Sequence, residues 1–153
     1  MKNDLRNSAH SVGEANLHLQ FTPAYRRDVF ASRALRDVIT ALLLEQAQKL
    51  RITIAALDFG PDHVHLFVTN WKCYSVSALA QRLKGAISRT LRQSYAYLFN
   101  DKLWGDKFWS GGYFYRTVGA VTAETIRRYV AESQQKHWIN TPENTQQTLL
   151  SYH

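Results

Sequence analysis

The sequence predicts an α+β domain: a ferredoxin-like antiparallel sheet with helices packed on one face. Three observations carry this. Apolar residues alternate at the period of a strand in four short segments, and they recur at helical spacing in three longer ones. These segments follow one another in the order β, α, β, β, α, β, α, which suits a sheet layered against helices rather than a bundle or a sandwich. At 153 residues and 45% hydrophobic content the chain fills one core but not comfortably two. Residues 1–153 therefore read as a single domain, with an ordered core over about 15–137 between polar tails.

Taken in order, Ala15 to Thr22 sets Leu17, Leu19 and Phe21 against His18 and Gln20, the pattern of a half-buried strand, and Pro23 closes it. Phe30 to Leu50 carries Leu35, Val38, Ile39, Leu42, Leu43, Ala47 and Leu50 at three- and four-residue steps, a long amphipathic helix that Ser32 can cap. Ile52 to Phe59 is a second strand, ended by Gly60 and Pro61. Asp62 to Thr69 is a third, so the two form a hairpin. Residues 75–98 make a second long helix with Val76, Leu79, Leu83, Ile87 and Leu91 on one side and Arg82, Arg89 and Arg92 on the other. Phe108 to Val118 is an aromatic strand with a glycine break, and Thr122 to His137 is a final helix.

Composition excludes several classes. Aromatic content of 12% and only three prolines are foreign to disordered or collagenous chains. No apolar run approaches the roughly 20 residues of a membrane span, and the start MKNDLRNSAH lacks the apolar stretch of a signal peptide, which suggests an intracellular protein. A single Cys73 can form neither an internal disulfide nor a thiolate zinc cluster, so a bound metal would need His, carboxylate or amide ligands. A net charge of +7 favours a polyanionic partner, with nucleic acid the first candidate.

The most informative stretch is Asp62-His63-Val64-His65-Leu66-Phe67-Val68. Strand alternation sends Val64, Leu66 and Val68 to one face and both histidines to the other, where two imidazoles converge as metal ligands or simply lie on a solvated face. HExxH and CxxC are both missing, and no second histidine-x-threonine/serine motif is present, which disfavours zinc hydrolases and two-histidine phosphodiesterases. In the final helix Tyr129 stands beside Arg127 and Arg128. Such a tyrosine commonly packs its ring and leaves its hydroxyl wet. As a nucleophile it would need help, because a free phenol with a pKa of about 10 is weakly nucleophilic at neutral pH.

The segments DHVHLFV, LKGAISRTLRQ, LWGDKFWSGGYFYRTVG and RRYVAESQ, in that order, with the earlier QFTPAYRRDVF, resemble the single-tyrosine transposases of the insertion sequence 200/605 family, within the HUH nucleases. The likeness covers roughly residues 15–137. It implies a prokaryotic, cytoplasmic and nucleoid-associated homodimer with composite active sites, which binds single-stranded DNA hairpins at the ends of a mobile element. It further implies a divalent metal ion, magnesium or manganese, held by His63 and His65, and Tyr129 as the nucleophile. The product would be a 5′-phosphotyrosine link with a free 3′-hydroxyl, and reversal of the step at a new junction would rejoin the strands.

The family's third ligand, a glutamine four residues after the tyrosine, has no direct counterpart, since that position is Ser133. Gln134 could serve across a one-residue π-bulge, Glu132 is a hard oxygen donor only about 60° round the helix from Tyr129, and water is the remaining choice. Arg82, Arg89 and Arg92 are candidate phosphate contacts. Trp104, Phe108, Trp109, Tyr113 and Tyr115 could stack on bases, although at least half of them belong in core or interface. Two other readings stand beside this one: a host-domesticated, repeat-associated relative, and a noncatalytic nucleic-acid-binding ferredoxin-like module.

Overall fold

A computed structural model of the chain describes residues 16–103, 105, 107–118 and 128. Its elements run β1 (Asn16–Phe21), α1 (Arg33–Leu50), β2 (Thr53–Gly60), β3 (His63–Thr69), α2 (Val76–Ser94) and β4 (Phe114–Val118). Apart from Arg128, the final helix expected over Thr122 to His137 lies outside the described residues, as do both polar tails.

The four strands form one sheet in the order β2-β3-β1-β4, with every neighbouring pair antiparallel. β3 is thus inserted between β1 and β2, the split βαβ arrangement of a ferredoxin-like fold. Alternation then decides which side is wet. Leu17, Leu19 and Phe21 of β1, Leu57 and Phe59 of β2, and Val64, Leu66 and Val68 of β3 join Leu35, Ile39 and Leu43 of α1 and Leu79, Leu83, Ile87 and Leu91 of α2 in one core. At about 1.5–3 kcal/mol for each large side chain buried, this shared layer is the main force holding both helices to one face. The candidate site lies on the face opposite these two helices.

The element boundaries shift for local reasons. The first helix starts at Arg33 rather than Phe30, because the Ser32 hydroxyl accepts from the Leu35 amide (3.2 Å) and sets the N-cap there. Phe30 instead lies in a 3₁₀ turn. Buried Arg36 braces that turn by donating from Nη1 to the Phe30 carbonyl at 2.7 Å. The helix stops at Arg51, which adopts a left-handed φ of 60°. α2 ends at Ser94, and Ala96–Leu98 forms a separate 3₁₀ turn. β2 runs to Gly60 and contains a register shift between Ile54 and Ala56. The last strand is much shorter than Phe108 to Val118: Trp109 makes an isolated bridge with Pro23, and pairing begins only at Phe114, after Gly111 and Gly112. Lys84 of α2 secures that glycine segment by donating to the carbonyls of Ser110 (2.9 Å) and Gly112 (2.8 Å).

Candidate metal centre

Strand register brings one set of polar side chains to the sheet face opposite α1 and α2. His63 and His65 of β3 are flanked by Gly60 and Asp58 of β2, while Gln20 of β1 stands opposite His65. His18 of β1 lies opposite Phe67 on one side and Arg116 of β4 on the other. This face is not simply solvated. His63, His65 and His18 are only 7%, 8% and 3% exposed, and Asp58 is fully buried.

The two imidazoles predicted as ligands lie with ring centroids 4.8 Å apart and ring planes nearly perpendicular, at 86°. His63 donates from Nδ1 to Oδ1 of Asp62 at 2.8 Å, and Arg26 donates from Nε to Oδ2 of the same carboxylate at 3.2 Å. Burial pushes the Asp62 carboxyl upward, but the hydrogen bonds from His63 and Arg26 and the Arg26 charge outweigh it and hold the group below its ordinary range. Gly60 supplies the space: a Cβ there would lie 2.4 Å from Cε1 and 2.6 Å from Nε2 of the His63 ring. The ring therefore rests on bare backbone.

His65 is held from the other side. Its Nδ1 lies 2.8 Å from Nε2 of His18, whose ring stacks on Phe67 (4.9 Å, 7°) and meets the edge of Phe114 at 6.3 Å. Burial, reinforced by the charge of Arg116, lowers the His18 pKa to about 4. Sequence reasoning placed His18 correctly on the polar side of its strand but gave it no role. The signal was available only through register, since nothing in the chain order tells that the side chains of residues 18 and 65 meet diagonally across β1 and β3.

A divalent ion fits these donors. Each of the two histidines has its Nδ1 in hydrogen-bond contact with a neighbour, an arrangement in which Nε2 would be the coordinating nitrogen, and an outer partner of this kind is the usual companion of a metal-bound imidazole. Among the described residues no group of three or more His, Cys, Asp and Glu side chains could hold a metal. A third protein ligand would have to come from elsewhere, and Tyr129, Glu132 and Gln134 lie outside the described residues.

The basic residues are elsewhere. Arg82 and Arg89 are exposed on α2, across the sheet from the histidines, and the Arg82 guanidinium sits 5.7 Å from the centre of the Tyr74 ring. Arg92 is half-buried, donates to the Lys107 carbonyl and lies over the Phe99 ring, so it fastens the loop before β4. Of the aromatics considered for stacking, Phe108 and Trp109 are buried in the core, Tyr113 packs against it partly buried, and Tyr115 is half exposed. Trp104 lies outside the described residues. A separate cleft of about 320 Å³ is lined by Tyr25, Arg27, Lys102 and Leu103.

Comparison with known proteins agrees with this architecture. The chain is 28% identical over 149 residues to the transposase for insertion sequence element IS200 of Salmonella typhimurium, covering 97% of this chain and 93% of that protein. It is 27% identical over 125 residues to the ISDra2 transposase TnpA of Deinococcus radiodurans, covering 82% and 88%. A crystal structure from Deinococcus radiodurans R1, described as that of a candidate transposase, superposes with a TM-score of 0.60 at 25% identity, over 78% of this chain and 90% of that one. A REP-associated tyrosine transposase solved with a REP hairpin shares the fold, at a TM-score of 0.57 and 10% identity over 84% and 69%. The family model for IS200-like transposases matches residues 11–133, and on that extent this chain belongs to the IS200-like transposase family.

Proposed function

We propose that this transposase cleaves and rejoins single-stranded DNA at the ends of a mobile element through a covalent link to Tyr129, in a reaction that requires magnesium or manganese. The observation that carries the reading is the pair of buried imidazoles on the inner strand β3, each with Nδ1 in contact with a neighbouring side chain, so that Nε2 would be the nitrogen that coordinates. A divalent ion bound there would supply Lewis-acid polarisation of the scissile phosphate. The chain's own part is to hold the phosphate against a nucleophile and to exclude bulk water from a largely buried pair of donors. The Tyr129 phenolate oxygen forms a bond to phosphorus while the bond to the 3′-oxygen breaks. The phosphate stays on the 5′ side as a tyrosyl ester, and the departing 3′-oxygen takes up a proton. The ester conserves the energy of the broken phosphodiester, so attack by a 3′-hydroxyl reverses the step without an external energy source.

In this reading a homodimer forms composite sites, with Gln134, Glu132 or water completing the coordination. Hairpin DNA is the partner: a protein of the same fold was solved with one, and Arg82 and Arg89 offer exposed cations for phosphates. Among the described residues no helix is long and apolar enough to cross a membrane.

The test is to incubate the full-length protein with single-stranded DNA from both flanks of its own gene. A denaturing gel should show a slower, denaturation-resistant band that needs Mg²⁺ or Mn²⁺. The band should vanish in Tyr129→Phe and in the His63→Ala/His65→Ala double variant. Persistence of full cleavage in Tyr129→Phe would end the proposal.

A further inference from the structure

We propose that His18 is a positioning residue that selects the metal-binding tautomer of His65. This inference rests on the metal reading above and assigns a role to a side chain outside the ligand pair. The argument begins with the 2.8 Å separation between His18 Nε2 and His65 Nδ1. Two lone pairs cannot face each other at that distance, so one of the two nitrogens carries the proton.

Only one choice leaves His65 able to bind an ion. If His18 Nε2 held the proton, His65 would accept it at Nδ1, and as a neutral imidazole it would carry its own proton on Nε2, which blocks coordination. If His65 Nδ1 holds the proton and donates to His18, then His65 Nε2 presents its lone pair. His18 must in that case be neutral and protonated at Nδ1. Packing keeps its acceptor nitrogen in place, since the ring is 3% exposed, stacked on Phe67 and closed at one edge by Phe114.

Coordination by His18 itself is the competing role. It is disfavoured because the nitrogen it presents is already in hydrogen-bond contact with His65, and the described His, Cys, Asp and Glu side chains form no group of three that could hold an ion. The two ligand histidines are thus held by different means. His63 leans on the Asp62 carboxylate, whereas His65 leans on an uncharged ring.

Two substitutions separate the acceptor from the ring. His18→Phe keeps an aromatic surface against Phe67 but cannot accept, and His18→Gln places an amide oxygen near the position of Nε2. In the metal-free full-length protein, ¹⁵N spectra of labelled histidine should show His65 as the Nδ1–H tautomer in the wild type and in His18→Gln. In His18→Phe it should shift toward the Nε2–H tautomer that free imidazole side chains favour. Calorimetric titration with Mn²⁺ should show affinity falling by about 10- to 100-fold in His18→Phe and largely recovering in His18→Gln. An unchanged tautomer and unchanged Mn²⁺ affinity in His18→Phe would overturn the role of His18 while leaving the metal centre intact, and so would a His18→Gln variant as weak as His18→Phe. Mn²⁺ binding that survives His63→Ala/His65→Ala would instead overturn the metal reading and the role of His18 with it.

Discussion

Gly60→Ala is the sharpest perturbation that the geometry offers, because it adds one methyl group directly beneath the His63 imidazole, a proposed ligand. The new Cβ would sit 2.4 Å from His63 Cε1, 2.6 Å from Nε2 and 3.0 Å from Nδ1. Carbon atoms in ordinary contact are about 3.5–4.0 Å apart, so the ring must retreat by roughly 1 Å or tilt off its present axis. Either movement strains the 2.8 Å bond to Asp62 and moves Nε2 relative to His65. Gly60 is not among the positive-φ residues, so its backbone accepts alanine. Lower unfolded-state entropy then contributes about 0.4–1 kcal/mol toward stability, which offsets part of a packing penalty of about 1–3 kcal/mol. The protein should therefore stay folded while Mn²⁺ affinity falls by about 10- to 100-fold and covalent adduct formation by about 100-fold. Gly85→Ala is the control, since nothing lies within 4 Å of its added methyl on α2, and helix propensity predicts about 1 kcal/mol of stabilisation with unchanged Mn²⁺ binding. A Gly60→Ala protein with wild-type Mn²⁺ affinity and adduct yield would refute the account of how His63 is held.

Other outcomes follow from the same contacts. His18 has a folded pKa of about 4 against 6.5 for the free side chain, so the unfolded chain binds its proton first and stability is lost as pH falls from about 6.5 toward 4. The ceiling is about 3 kcal/mol, screening reduces it to about 1–2 kcal/mol, and denaturant titrations of metal-free protein at pH 7 and pH 4.5 should show a smaller loss for His18→Gln. His65, His63, Arg116 and Asp58 face His18 across the sheet and belong in any fit of that profile. Arg36→Ala should cost about 2–4 kcal/mol and lower the melting temperature by about 5–10 °C, because the Phe30 carbonyl loses its buried donor. Arg82→Gln with Arg89→Gln should lower the slope of log affinity against log salt by about 1.4 on single-stranded DNA while leaving Mn²⁺ binding unchanged.

The parts of this protein that were legible in its sequence are those decided by local periodicity. The alternation of Val64, Leu66 and Val68 with His63 and His65 fixed a strand and its two faces, and the apolar spacing in α1 and α2 marked the faces that pack on it. Capping by Ser32 was visible too, yet the helix was begun three residues early at Phe30, whose aromatic side chain suits a core position in either conformation. What was not legible depends on contacts between distant segments. Gly60 read as a turn residue, whereas it is the last residue of β2 and leaves room for an imidazole. His18 read as the wet side of a strand, and its meaning came only when β1 paired with β3. Arg92 read as one of three equivalent surface cations, but a carbonyl 15 residues later binds it. In each case chain order specified the residue's face and tertiary register specified its partner.

The proposed metal centre would be built from imidazoles instead of carboxylates, and that choice has an electrostatic consequence. Neutral ligands add no charge of their own, so a divalent ion would keep most of its positive potential for an approaching phosphodiester, whose transition state gains negative charge. The surroundings follow the same arithmetic. Asp62 is the carboxylate that touches His63, and Arg26 on its other oxygen balances it, while the partner of His65 is an uncharged ring kept neutral by burial and by Arg116. Had His18 been an aspartate, it would have held the same tautomer at His65 but placed a further negative charge beside the incoming phosphate. The exposed arginines of α2 stand across the sheet, where, on the proposed reading, they would contact a nucleic-acid backbone without competing for the scissile group. On the proposed reading, binding and chemistry would fall on opposite faces of one sheet, with β3 contributing hydrophobic anchors to one and the candidate metal donors to the other.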